Sequence, residues 1–227
     1  MKKAYFFDMD GVLIDSMPNH AIAWEETMKR YHLPYSIYDS YINEGRTGES
    51  IIREAIRKVY NREATSEEVH NIYAEKSACF IKREQIVGET LCIPGVADVL
   101  KYINLCGDQI WVVTGSGMKS LIDSLNKILP PVFQKGRMVT AFDVVKCKPD
   151  PEPYLKAWER SGLQKAQCLV IENAPLGVRS GKAAGLTVYA VNTGVLKRED
   201  LYEAGADKVF NSMADLLEFL RKEDGEI

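Results

Sequence analysis

Asp8-Met9-Asp10-Gly11-Val12-Leu13-Ile14-Asp15-Ser16, directly after the apolar run Ala4-Tyr5-Phe6-Phe7, is the stretch around which the rest of the chain arranges itself. In an extended segment the side chains of residues i and i+2 share a face, so Asp8 and Asp10 project together beyond the end of a buried strand. Two carboxylates this close repel each other. The arrangement persists at low cost where a cation or a protonated partner neutralises it, and an all-oxygen cluster at a strand end suits Mg²⁺. Gly11 lets the backbone turn sharply behind the pair. Asp and Gly are also ordinary turn residues, so taken alone the segment is compatible with a solvated turn.

Three further segments reduce that alternative. Ile110-Trp111-Val112-Val113 is a short β-branched apolar run ending in Thr114-Gly115-Ser116-Gly117, with a helix expected from Met118 to Leu129 behind it. Thr114, Ser116 and the N–H groups of Gly115 and its neighbours form a candidate phosphate cradle at that helix start. Lys148 precedes the proline-stiffened turn Pro149-Asp150-Pro151-Glu152-Pro153, where by itself it reads as a solvent-facing lysine. Cys168-Leu169-Val170-Ile171 is another buried strand, and it ends in Glu172-Asn173-Ala174-Pro175-Leu176-Gly177. Four polar clusters, each behind an apolar strand and ahead of a helix, converge at the carboxyl edge of a parallel sheet.

The 227 residues suffice for one core domain with a second inserted in it. A net charge of −3 without a long Lys/Arg run argues against a nucleic-acid surface, and no apolar stretch approaches a membrane span. The start Met1-Lys2-Lys3-Ala4-Tyr5-Phe6-Phe7 mimics the opening of a secretory signal, but Asp8 breaks the apolar run too early. Five cysteines, at 79, 92, 106, 147 and 168, show no Cys-x-x-Cys spacing and read as reduced thiols of a cytoplasmic protein, expected to be a monomer.

Between the first and second strands lie about 100 residues of mainly helical pattern, far more than an ordinary crossover of roughly a dozen or somewhat more. An inserted helical domain over residues 17–87 explains the gap, leaving 1–16 and 88–227 as the catalytic core. Helices are expected over Pro18–His32, Gly48–Tyr60 and Ser66–Arg83, and another ending at Leu105. Strands near Met138–Thr140, Thr187–Val191 and Lys208–Phe210 complete the sheet, and the end Lys222-Glu223-Asp224-Gly225-Glu226 reads as a frayed tail. The fold class is thus α/β, a doubly wound and mainly parallel sheet with an inserted α-helical domain.

In order, DMDGVLIDS, VVTGSG, the Lys of CKPDPEPY and VIENAPLGV resemble the four motifs of the haloacid dehalogenase superfamily. The resemblance spans nearly the whole chain. It implies strand order 3-2-1-4-5-6 and phosphoryl transfer through an aspartyl-phosphate, with Asp8 as nucleophile and Asp10 as general acid and base. Thr114 then binds the phosphoryl oxygens and Lys148 neutralises Asp8 and the phosphoryl group. The inserted helices resemble the small cap of the beta-phosphoglucomutase-like branch, where cap residues choose the substrate.

In that cap, Asn43-Glu44-Gly45-Arg46-Thr47-Gly48 is a polar loop offering a guanidinium to an anion, or else a solvated connection between helices. Lys76 lies within the apolar stripe of Val69, Ile72, Tyr73, Cys79 and Phe80, so it either snorkels or faces the cleft. His20, one turn before Trp24, touches substrate or supports the indole.

The fourth motif usually ends in two acidic residues, and here it is Glu172-Asn173. The site loses one charge, which Glu44 of the cap or an anionic substrate can restore. EGRTG together with VIENAPLGV is similar to a pyrophosphatase of this branch. That implies Asp8, the Asp10 backbone oxygen, Glu44 and Asn173 as Mg²⁺ ligands, with Glu172 acting through water. Hydrolysis of pyrophosphate or a small phosphoester is the leading expectation, a beta-phosphoglucomutase-type mutase the alternative, and a catalytically silent binding protein the remote one.

Overall fold

A computed structural model describes residues 2–88, 91–115, 125, 127–129, 132–134 and 136–225. Six strands form one parallel sheet in the order β3-β2-β1-β4-β5-β6: β1 Ala4–Phe7, β2 Gln109–Val113, β3 Met138–Val139, β4 Cys168–Glu172, β5 Thr187–Val191 and β6 Lys208–Phe210. The central strands are apolar on both faces because helices cover both. Tyr5 and Phe7 pack with Ile110, Val112 and Ile171 on one side, under α5 (Val96–Leu105) and α9 (Met213–Glu223). Ala4 and Phe6 pack with Trp111, Val113 and Val170 on the other, under α6 (Glu152–Ser161), α7 (Pro175–Ala183) and α8 (Arg198–Glu203). This alternation follows from the two-residue period of a strand.

Register places the chemistry. Phe7, the last residue of β1, pairs with both Val112 and Ile171, so Asp8 just beyond it meets the ends of the two neighbouring strands at one level. The chain runs from β1 to one side of the sheet through β2 and β3, then crosses to the other through β4. The crevice between β1 and β4 is therefore the topological switch point of the fold.

Four helices stand above that crevice: α1 (Met17–Arg30), α2 (Ile37–Ile42), α3 (Gly48–Tyr60) and α4 (Ser66–Val87). Of these, α1, α3 and α4 carry an apolar core of their own, with Trp24, Met28, Ile51, Ile52, Ile56, Val69 and Ile72 joined by Leu33. The Thr65 hydroxyl accepts from the Glu68 N–H while the Glu68 carboxylate accepts from the Thr65 N–H, which fixes the start of α4. Entry to and exit from this cap lie side by side, since Asp15 N–H donates to Leu91 O at 2.7 Å and Ile93 N–H to Leu13 O at 3.1 Å.

Several expectations change. The α2 helix was not foreseen, and its Ile37, Tyr41 and Ile42 pack into the core's apolar layer rather than the cap's. The last cap helix continues to Val87, where Gly88 at φ +94° ends it. The terminus is not frayed through Asp224: α9 includes Lys222 and Glu223, and Asp224 accepts from Lys3 Nζ at 2.8 Å and Tyr102 OH at 3.0 Å. The helix expected over Met118–Leu129 falls largely outside the described residues.

Candidate active site

At the carboxyl end of β1, Asp8 is buried, and its N–H donates to Ile171 O at 3.0 Å. Lys148 reaches it from the loop ahead of α6. The ammonium donates to Asp8 Oδ1 at 2.5 Å, to Glu172 Oε1 at 2.6 Å and to Val113 O at 3.2 Å, which commits all three of its donors. It is therefore no solvent-facing turn lysine. Burial works against its charge, but Asp8 and Glu172 outweigh burial and hold its pKa above the ordinary lysine range.

Glu172, at the end of β4, is pinned on both oxygens. Tyr154 OH donates to Oε1 at 2.6 Å, and the N–H groups of Asn173 and Ala174 donate to Oε2 at 3.1 and 3.4 Å. The carboxylate folds against the first turn of α7, where a Cβ on Gly177 would lie 1.9–2.3 Å from its atoms. Only glycine leaves room there.

Asp10 accepts from Ser16 Oγ at 2.5 Å, and His20 Nε2 lies 3.9 Å from the same oxygen, Oδ1. Behind His20, Lys76 Nζ sits 2.7 Å from Nδ1, and the imidazole stacks on Phe80 at 4.1 Å. Lys76 thus faces the cleft between cap and core, with its ammonium over the Trp24 and Phe80 rings at 5.3 and 5.1 Å. Burial pulls Lys76 down to about 8, with Asp10 opposing. Burial and the nearby Lys76 charge push His20 well below the usual imidazole range.

The cap loop closes over the core. Asn173 Nδ2 lies 3.0 and 3.2 Å from the two carboxylate oxygens of Glu44. A Cβ on Gly45 (φ +91°) would meet the Lys148 stem at 3.2 Å, and one on Gly115 would meet Gly45 O at the same distance. A cavity of about 670 Å³ remains between cap and core, lined by Asp8, Asp10, His20, Glu44, Gly45, Arg46, Thr47, Lys76, Thr114 and Gly115 among others. Thr47 caps α3, its hydroxyl accepting from Ser50 N–H at 3.2 Å. Arg46 borders the cavity, but its guanidinium is turned back into the cap. Ser116 lies outside the described residues, so the phosphate cradle is seen only through Thr114 and Gly115.

Four carboxylates share this interior. Asp8 is pushed up to about 7 by burial, with Lys148 countering and Glu172 and Asp10 adding. Burial raises Asp10 against the Ser16 hydrogen bond, and Glu44 is raised well above its ordinary value by burial, Asp8, Glu172 and Asp10. Among the described residues no three acidic, histidine or cysteine side chains stand already gathered as a metal cage. The donor chemistry nevertheless fits a hard divalent cation. Asn173 Oδ1 is buried without a hydrogen-bond partner while Nδ2 donates to Glu44, in an interior that holds more carboxylates than Lys148 can offset.

Residues 5–191 match the family profile described as haloacid dehalogenase-like hydrolase. The chain belongs to the haloacid dehalogenase-like hydrolases. Within this family it is 33% identical to hexitol phosphatase A of Escherichia coli over 84% of this chain and 83% of that protein. It is 27% identical to a phosphorylated carbohydrates phosphatase of Thermotoga maritima, over 95% of this chain and all of the relative. A solved structure from Bacteroides vulgatus, provisionally described as a beta-phosphoglucomutase, superposes with a TM-score of 0.91 at 45% identity, covering 98% of this chain and 89% of that one.

This haloacid dehalogenase-like hydrolase also uses residues that sequence reasoning missed. Tyr154 holds Glu172 and Gly177 leaves room for it; both lie inside the quoted motifs, but nothing there points them at Glu172. Ser16 was visible as the last residue of the first motif, but its bond to Asp10 depends on the turn at Gly11.

Proposed function

We propose that this haloacid dehalogenase-like hydrolase takes a phosphoryl group from a small anionic phosphate compound onto Asp8 and passes it to water, with inorganic pyrophosphate as the leading substrate. The observation that carries the reading is the contact between Glu44 and Asn173, a cap carboxylate meeting the amide that replaces the usual second acid of the fourth motif. Asp8, the Asp10 backbone oxygen, Glu44 and Asn173 would hold Mg²⁺; Glu172, its oxygens already taken by protein donors, would act only through water. Bound there, the ion supplies positive charge against the carboxylates and the transferring group.

The protein's own steps follow from the geometry. Lys148 occupies Asp8 Oδ1, which leaves Oδ2 to attack phosphorus as the bond to the leaving oxygen breaks. The Lys148 charge offsets the phosphoryl oxygens, and Thr114 and Gly115 orient them. Asp10, held by Ser16, gives its proton to the leaving oxygen and then takes one from the water that attacks the aspartyl-phosphate. His20 and Lys76 face the leaving group. The Glu44–Gly45 contacts keep bulk water from the intermediate.

A second reading, a mutase that returns the phosphoryl group to a sugar, is favoured by the 45% identity to the Bacteroides vulgatus protein. The names of the relatives support phosphorylated polyols and sugars more than pyrophosphate; the Glu44–Asn173 contact supports pyrophosphate. Phosphate release across pyrophosphate, hexitol and hexose phosphates and nucleotides, with and without Mg²⁺, separates the substrates. Glucose 1,6-bisphosphate formed from beta-glucose 1-phosphate, in place of accumulating free phosphate, would establish the mutase.

A further inference from the structure

Arg46 borders the cavity, yet its donors point elsewhere. Nε donates to Ser50 Oγ at 3.1 Å and Nη2 to Ser50 O at 3.0 Å, while Nη1 donates to Asn43 Oδ1 at 2.9 Å and to Glu54 Oε2. One bond from Nε, two from Nη1 and one from Nη2 commit four of the five N–H groups of a guanidinium. A bidentate grip on phosphate needs two parallel free donors, which one remaining N–H cannot give. Glu54 lies on α3, outside the set of residues that border the cavity, and is also bound by Lys58 at 2.5 Å.

We infer that Arg46 and Glu54 are positioning residues, an ion pair inside the cap that fixes the 43–48 loop so that Glu44 meets Asn173 and Gly45 meets Lys148. Arg46 is then not a phosphate ligand. The loop needs such a brace. Gly45 holds a left-handed backbone and must sit within van der Waals reach of the Lys148 stem and Gly115, so a small displacement withdraws Glu44 from Asn173. Arg46 ties the two sides of the turn, Asn43 before it and Ser50 after it, and Glu54 orients the guanidinium. The catalytic part of this inference rests on the reading proposed above, whereas the structural part does not.

The test compares Arg46→Ala, Glu54→Gln and Lys58→Ala in the full chain, by amide hydrogen exchange over residues 43–48 without substrate and by kcat and KM for pyrophosphate with Mg²⁺. Glu54→Gln and Arg46→Ala should each speed exchange in the loop by about tenfold, the order expected on losing a charge-assisted hydrogen bond. Both should lower kcat with KM changed by less than about twofold, since neither side chain touches substrate. Lys58→Ala, an exposed change, should leave exchange and kinetics at the wild-type values. Should Arg46→Ala fail to fold, Arg46→Lys replaces it, keeping a charge for Glu54 without the fork to Asn43 and Ser50. Arg46→Ala raising KM about tenfold while Glu54→Gln behaves as wild type would overturn the inference and make Arg46 a substrate ligand. Unchanged exchange in Glu54→Gln would overturn it as well. If the wild-type protein releases no phosphate from pyrophosphate, the proposed substrate fails, and the exchange measurement alone decides on the brace.

Discussion

Asp8 stands where one ammonium serves a crowd of carboxylates, and this gives it a measurable pH signature. Its pKa rises from 3.8 to about 7 on folding, chiefly through burial. Between those pH values the native protein keeps a proton that the unfolded chain has released, so stability falls as pH rises through this window and the loss is complete above about 7. Asparagine has no such proton. In EDTA, the urea midpoint of the wild type should drop more between pH 5 and pH 8 than that of Asp8→Asn; a steeper drop in the variant would contradict the assignment. Lys148 is the counterweight. Lys148→Ala should lower kcat by about two to three orders of magnitude, the scale of losing a preorganised charge-stabilising group. If steady-state kinetics showed a change in KM alone, Lys148 would be a positioning residue at the rim.

At the level of elements, α7 and β4 act as one device, because the Glu172 carboxylate occupies the space where a side chain at Gly177 would stand. Gly177→Ala should therefore push Glu172 off Lys148 and lower kcat by about tenfold or more, despite the better helix propensity of alanine, roughly 1 kcal/mol. Unchanged turnover together with a raised melting temperature would show that the carboxylate relaxes freely. The strands were legible because each is a short apolar run ending in polar residues, and the same endings marked Asp8, Asp10, Thr114, Glu172 and Asn173; Lys148, well beyond the end of β3, was marked only by the order of the motifs. The two-turn α2 helix was harder. It is only six residues long, although Ser36-Ile37-Tyr38-Asp39 carries a capping box, with the Ser36 and Asp39 side chains each accepting from the other's backbone N–H. The ties on Asp224 come from Lys3 and Tyr102, more than a hundred positions away in sequence, and no local pattern announces them. For Arg46 the sequence displayed a guanidinium but not its direction, which depends on Ser50 and Glu54 one and two turns further along. The placing of Lys76 was likewise open until α1 set His20 against it.

For the whole molecule the decisive contact is between domains, where Glu44 of the cap meets Asn173 of the core. If both help hold Mg²⁺, Glu44→Gln should weaken the dependence of melting temperature and turnover on Mg²⁺ together, by about tenfold or more in apparent affinity. Asn173→Asp should partly restore both in the Glu44→Gln background, and a double-mutant cycle should reveal the coupling, since residues sharing one ion do not act additively. Unaltered Mg²⁺ dependence in Glu44→Gln would remove the cap from the metal site and favour a generic sugar-phosphate enzyme. Beneath the choice of substrate lies the proposed covalent step on Asp8. The direct measurement is rapid acid quench of wild type and Asp8→Asn with a ³²P-labelled substrate, pyrophosphate first, in the presence of Mg²⁺. The wild type should carry a transient, hydroxylamine-labile label on the peptide containing Asp8, while Asp8→Asn should carry none and release phosphate about a thousandfold more slowly or worse. Phosphate release from Asp8→Asn at close to the wild-type rate, with no labelled protein in either, would contradict an aspartyl-phosphate mechanism.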